Sequence, residues 1–196
     1  MAAGSSTQRT RALRADAQQN VERILEAAIG CLGHNPEASM ADIAKCAGVG
    51  RVTLYGHFPS RENLVEAALT RLLARGEAAL SEVDLSADPG RALEALITSS
   101  WLLTAQAGAL LEAAQSLLPP GRVHELHAAP EQRVMDLIRR GQAEGVFRDD
   151  LPVAWLANVM HYLMKGAAAD VAAGHLDPAE VPRLITVTAL SAFTPP

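Results

Sequence analysis

Only seven of the 196 residues are aromatic. Runs of β-branched residues are also missing, which argues against a sheet. Lysine occurs only twice, at Lys45 and Lys165, against fifteen arginines. The longest uncharged run, Ala95 to Leu111, is broken by Thr98, Ser99, Ser100, Thr104 and Gln106. It falls short of the ~20 predominantly apolar residues a spanning helix needs, so it predicts a buried helix in a soluble protein and no membrane partner. The N-terminal MAAGSSTQRTRALRADAQQ has arginines but no apolar stretch after them, so no secretory signal is read there and a cytoplasmic location is expected. The two cysteines, Cys31 and Cys46, lack CxxC spacing. They read as small buried residues, with a redox pair as the alternative.

Apolar residues make up 49% of the chain, and Ala and Leu dominate, which favours helix. The net charge of −5 is unevenly placed. Residues 1–75 carry nine basic against seven acidic side chains, and residues 76–196 carry eight against fifteen. A mildly basic front on an acidic remainder points to an anionic partner for the front.

Residues 1–16, with Gly4, Ser5, Ser6 and the arginines Arg9, Arg11 and Arg14, read as a flexible basic arm suited to phosphate or minor-groove contacts. Val21, Ile24, Leu25, Ala28, Ile29 and Leu32 form the stripe of an amphipathic helix, ended by Gly33 and Asn35-Pro36. Ser39 and Asp42 form a capping box for a short helix that Gly48 stops. A second short helix fits between Arg51 and Phe58, and Ser60 caps a longer one. Beyond Gly76, Asp88-Pro89, Pro130-Glu131, Asp150-Leu151-Pro152 and Asp177-Pro178 sign further helix starts, and Pro119-Pro120-Gly121 forces a break. Nine or ten helices and no strand make an all-α chain. The predicted parts are a 1–16 arm, a 17–75 head, and a 76–196 helical domain.

The stretch AGVGRVTLYGHF, residues 47–58, carries the functional argument. A dinucleotide fingerprint needs G-x-G-x-x-G after a strand, and here Thr53 replaces the third glycine and a helix precedes. A P-loop needs Gly-Lys-Ser/Thr, which is absent. Two readings remain: a tight αα-corner with a solvated polar face, or a helix-turn-helix. In the second, Arg51, Thr53, Tyr55 and His57 point outward with Val52 near the edge, a set suited to phosphate oxygens and base edges.

Residues 39–69, SMADIAKCAGVGRVTLYGHFPSRENLVEAAL, resemble the DNA-binding region of TetR-type transcriptional regulators. The shared positions are Ser39, Asp42-Ile43-Ala44, Ala47-Gly48-Val49, Thr53-Leu54-Tyr55, His57-Phe58, Ser60 and Leu64. The resemblance implies a three-helix DNA-binding domain followed by a helical ligand-binding and dimerisation domain. It implies a homodimer on double-stranded DNA, a near-palindromic operator, with a small-molecule effector that releases it. Arg51 and Thr53 then become base readers, with Arg to guanine the strongest such contact. Val52 would meet a thymine methyl; Tyr55 and His57 the phosphate backbone; Arg61 and Ser39 further phosphates. Three departures stand out. Ala41 replaces a common basic or polar contact, Gly50 a frequent Ser cap, and Gly56 a larger residue inside the recognition helix.

The charge-free run ALITSSWLLTAQAGALL suggests an apolar or aromatic effector. Trp101, Thr104, Met135, Phe147, Trp155, Asn158, His161 and Tyr162 are the candidate lining residues, ordinary packing being the competing role of each. The last two helices, by position in the resemblance, would form the dimer bundle through Ala157, Met160, Met164, Ala168, Leu184, Val187, Thr188 and Ser191. His124-Glu125-Leu126-His127 offers two imidazoles three apart with no third ligand evident, so no metal site is read, nor a cofactor or catalytic set. A helical-bundle small-molecule carrier or enzyme with a vestigial DNA-binding region is the alternative function.

Overall fold

The computed structural model describes the backbone of residues 3–195, and the side chains from Ala17 to Pro195 apart from Leu102. Among the described residues the chain forms eight helices and no strand: α1 (Ala3–His34), α2 (Met40–Cys46), α3 (Arg51–His57), α4 (Arg61–Ser81), α5 (Pro89–Leu117), α6 (Arg122–Ala143), α7 (Val153–Ala172) and α8 (Val181–Phe193). They divide into two compact units. The first runs through Arg71 and takes in Ala109–Leu118; the second holds Leu72–Gly108 and the chain from Pro119 onward. The expected boundary at residue 75 therefore falls inside α4, and the end of α5 joins the N-terminal unit.

In the first unit α1 packs on α2, and α2 on α3. Ile24, Ala28, Leu32, Ile43, Leu54, Leu64, Val65, Ala68 and Leu69 are fully buried. An Arg71–Glu22 ion pair ties α4 to α1. The segment expected as an arm at 1–16 is helical in its backbone from Ala3, where α1 begins. After Gly4 the segment has no Pro or Gly and is rich in Ala, Gln, Arg and Leu, so nothing stops the helix from extending back. The side chains of Arg9, Arg11 and Arg14 lie outside the described residues.

The second unit closes around Leu93, Ile97, Trp101, Leu137, Ile138, Phe147, Leu156, Met160, Ile185 and Phe193. Asp88 Oδ1 accepts from the backbone N–H of Gly90 and Arg91, capping α5 as its position before Pro89 predicts. Pro130 does not open a helix; it lies inside α6, which starts at Arg122 after Gly121 in a left-handed turn (φ 86°). The Pro119-Pro120-Gly121 break sets the start, and the helix spans Pro130 at the loss of one backbone hydrogen bond. α6 ends in a loop that returns Phe147 onto Gly141, where both Val146 and Phe147 N–H donate to the Gly141 carbonyl at 2.9 Å. Phe147 meets Phe193 edge to face, with ring centroids 5.6 Å apart.

Candidate nucleic-acid interface

α2 starts in a closed capping box. Ser39 Oγ accepts from Asp42 N–H at 3.2 Å, while Asp42 Oδ2 accepts from the Ser39 N–H at 3.0 Å and the Ser39 hydroxyl at 2.6 Å. The Ser39 hydroxyl bond is the chief cause that holds the Asp42 carboxyl below the usual carboxylate range; Lys45 and Arg51 add to it. The serine hydroxyl is thus already used twice within the cap. Lys45 is exposed at the end of α2 and acts on the same carboxylate as Arg51. The sequence reading passed over it, although one of only two lysines in the chain, placed on this helix, was the available signal.

Gly48 takes φ +63°, and Val49 N–H donates back to the Ala44 carbonyl at 3.0 Å. This is the helix-ending turn that glycine permits. Gly50 caps α3 with extended backbone and no side-chain bond. At about 100° per residue, α3 has three faces. Leu54 (fully buried) and the flanking Phe58 anchor it inward. Thr53 and His57 lie half-buried on one flank. Arg51, Val52, Tyr55 and Gly56 share the outward arc, Val52 being 88% exposed and Tyr55 49%. Val52 therefore sits within the outward face, not at its edge as the spacing alone suggests, and Thr53 stands further back.

A methyl built on Gly56 would meet nothing within 4 Å, so neither packing nor backbone conformation requires glycine there. Arg61, expected to meet a phosphate, is half-buried and has one donor engaged within the head. Its Nη2 donates to the Pro36 carbonyl in the α1–α2 turn, and its Nε is buried without a hydrogen-bond partner. The guanidinium braces the head from within.

The residues expected around an effector, Thr104 apart, fall into separate groups, one in or against the core and one on the outer face of α7. Trp101 is 6% exposed and its Nε1–H donates to the Pro178 carbonyl at 3.1 Å. The Thr104 hydroxyl donates to the Ser100 carbonyl of its own helix at 3.0 Å. Phe147 belongs to the core and Met135 packs against it. Trp155 (55% exposed), Asn158 and Tyr162 (67%) form an outward stripe on α7, with His161 beside them. They face away from Leu156, Ala157, Met160 and Met164, which are buried within the unit. This reverses the expected dimer positions on α7: Ala157, Met160 and Met164 are internal, and Ala168 packs against the core. On α8 the positions hold outward, with Leu184, Val187, Thr188 and Ser191 all exposed. An open cleft of about 500 Å³ runs along α6, lined by Leu85, Ala129, Gln132, Arg133, Asp136, Leu137 and Arg140. Its arginines are engaged, Arg133 with Glu77 and Arg140 with the Leu85 and Ala87 carbonyls.

His127 stacks edge to face on His161, with ring centroids 6.4 Å apart. Burial pushes its pKa below the usual imidazole range; the His161 charge acts the same way and Glu131 opposes. His124 approaches Glu131 at 3.6 Å. Among the described residues no group of three ligating side chains could hold a metal ion.

Residues 24–68 match the family model of bacterial regulatory proteins, tetR family. The transcriptional repressor LfrR of Mycolicibacterium smegmatis is 26% identical over 142 residues, covering 72% of this chain and 74% of LfrR. The crystal structure of LfrR in complex with proflavine matches at a TM-score of 0.74 and 22% identity, covering 90% of this chain and 98% of that one. The ketosteroid transcriptional regulator KstR2 of Mycobacterium tuberculosis matches at 0.72 and 23%, covering 89% and 94%. The capping box, the Gly48 turn and the outward arc of α3 all lie inside the matched segment, so residues 24–68 carry the domain of the tetR family of bacterial regulatory proteins.

Proposed function

We propose that this protein is a homodimeric repressor that places α3 of each copy in the major groove of a near-palindromic operator and releases DNA when a small apolar or aromatic molecule binds its second unit. The observation that carries the reading is the outward arc of α3. It presents one cation (Arg51), one methyl-bearing contact (Val52) and one phenol (Tyr55) on a helix anchored from behind by Leu54. Arg suits guanine O6/N7, and Val a thymine methyl. Tyr55 and His57 supply phosphate contacts, and Lys45 adds a cation on α2. Ser39 donates its one hydroxyl proton to Asp42 and keeps no donor for a phosphate, so it serves α2.

The second copy supports the reading through the exposed apolar stripe of Trp155, Tyr162, Leu184 and Val187. A helix apolar on both faces needs a partner for the second face. The exposure of Trp155 and Tyr162 favours a dimer role for them over an effector role. The effector class rests on the charge-poor α5, and the structural neighbour crystallised with proflavine, a flat aromatic, is in keeping with it. No helix among the described residues is long and apolar enough to cross a membrane; the cytoplasmic location is proposed from the DNA-reading role alone.

The test is fluorescence anisotropy on labelled duplexes from the chain's own upstream region. Binding that survives excess competitor DNA and weakens steeply with salt supports the proposal. The absence of binding to any duplex overturns it.

A further inference from the structure

α1 and α2 are joined by a bond that the DNA-reading role does not use. Cys31 on α1 and Cys46, the last residue of α2, are paired as a disulfide, with Cα atoms 7.2 Å apart. The expectation of two small buried thiols fails, because Cys46 is exposed and Cys31 half-buried. The pair lies wholly within the N-terminal unit, fifteen residues apart in sequence.

We infer that Cys31 and Cys46 form a reversible thiol–disulfide switch on the DNA-reading head, and that closing the bond lowers operator affinity. The inference rests on the proposed function for its readout. Three observations carry it. First, a protein that reads DNA works in a reducing compartment, where a disulfide is transient and regulatory and not a permanent staple. The head has its own core, with Ile24, Ala28, Ile43 and Leu54 fully buried, so it does not depend on the bond to fold. Second, the exposed Cys46 is open to attack or exchange. Third, the bond acts where it matters for reading. Cys46 directly precedes the turn through Gly48 and Gly50 that aims α3, and Leu54 is the only α3 side chain that is buried. The Cα separation of 7.2 Å lies beyond the range of about 4.4–6.8 Å that disulfides usually span, so making or breaking the bond is coupled to movement of the end of α2 against α1. α3 is re-aimed with it, and a base-reading side chain tolerates little displacement.

The oxidant is a low-molecular-weight disulfide. The Cys46 thiolate attacks one of its sulfurs and expels a thiol. Cys31 then attacks the mixed disulfide and expels the second. Two protein thiols and one small disulfide become one protein disulfide and two small thiols, so electrons and protons balance.

The experiment equilibrates the full chain in buffers of varied oxidised-to-reduced glutathione ratio. Free thiols are alkylated and the protein is weighed by mass spectrometry, with anisotropy on the operator duplex measured in parallel. The expected result is an intramolecular bond that forms as the ratio rises, with affinity falling by at least about fivefold and returning with dithiothreitol. Cys31→Ser and Cys46→Ser variants, with helix content checked by circular dichroism, should bind like the reduced protein in every buffer. Two free thiols at all ratios, a bond only between chains, or unchanged or tighter binding by the bonded form would overturn the switch. Failure of every form, the serine variants included, to bind duplex DNA sinks the proposed function and the switch with it. The alkylation pattern then still reads separately whether the bond forms.

Discussion

Two glycine-to-alanine substitutions should have opposite signs. Helix propensity alone favours alanine by about 1 kcal/mol at either place. At Gly141 the new methyl would fall 2.1 Å from Phe147 Cδ2 and 2.5 Å from Cε2. The ring would have to retreat by roughly 1.4 Å to reach ordinary carbon contact. It has nowhere to go. Phe147 is 2% exposed, Phe193 behind it is fully buried, and the backbone of Val146 and Phe147 is bonded to the Gly141 carbonyl. Overpacking costs about 1–3 kcal/mol, and expelling the ring altogether about 3–5 kcal/mol. With no room for the ring to shift, the cost of expelling it applies, and after the propensity gain Gly141→Ala should destabilise the second unit by about 2–4 kcal/mol. At roughly 2–4 °C per kcal/mol for a chain of this size, Tm falls by about 4–16 °C. Both tryptophans lie in the second unit, so urea unfolding followed by Trp fluorescence reads the loss there. Gly56→Ala, with open space around its methyl, should stabilise the head by up to about 1 kcal/mol, read by circular dichroism. A Gly141→Ala protein as stable as the parent would refute the reasoning.

Three further outcomes follow from the geometry. Trp155→Ser combined with Val187→Ser should shift the protein toward monomer in light scattering at micromolar concentration, while Ala157→Ser should mainly lower stability. Arg61→Ala should cost the head about 1–2 kcal/mol in thermal unfolding through loss of the bond to the Pro36 carbonyl, so any accompanying loss of DNA binding is to be scored against that. Asp42 has its pKa lowered in the folded head, so its cap contributes above the usual carboxylate range and is lost as pH falls through the depressed value. Ser39→Ala should cost about 1 kcal/mol at pH 7 as the loss of an N-cap, and the gap to the parent should shrink as pH falls below the usual carboxylate range.

Where the chain signals structure locally, its sequence was enough. Ser39 and Asp42 close the box, Gly48 turns with positive φ, and α3 spans Arg51–His57, because each depends on neighbours within a few residues. Pro130 misled because a proline's effect depends on where the preceding turn already started the helix. Facing was harder. α7 is apolar on both sides, so no period says whether Trp155 or Met160 turns inward; the packing against α6 and α8 decides. The Arg61 bond lay beyond reach, and the cysteine pairing stayed one of two readings, for a related reason. Each is defined by a partner in another element, the Pro36 carbonyl for one and two helices for the other.

The central claim is that α3 reads bases, and Arg51 tests it most directly. Anisotropy should be measured for the parent and Arg51→Ala on the operator and on a scrambled duplex of equal length. The account predicts a loss of about 1–3 kcal/mol, roughly 5- to 150-fold, on the operator, with a much smaller change on the scrambled duplex. Equal losses on both would make Arg51 a phosphate contact, and no loss on either would contradict the assignment of α3 as the reading helix.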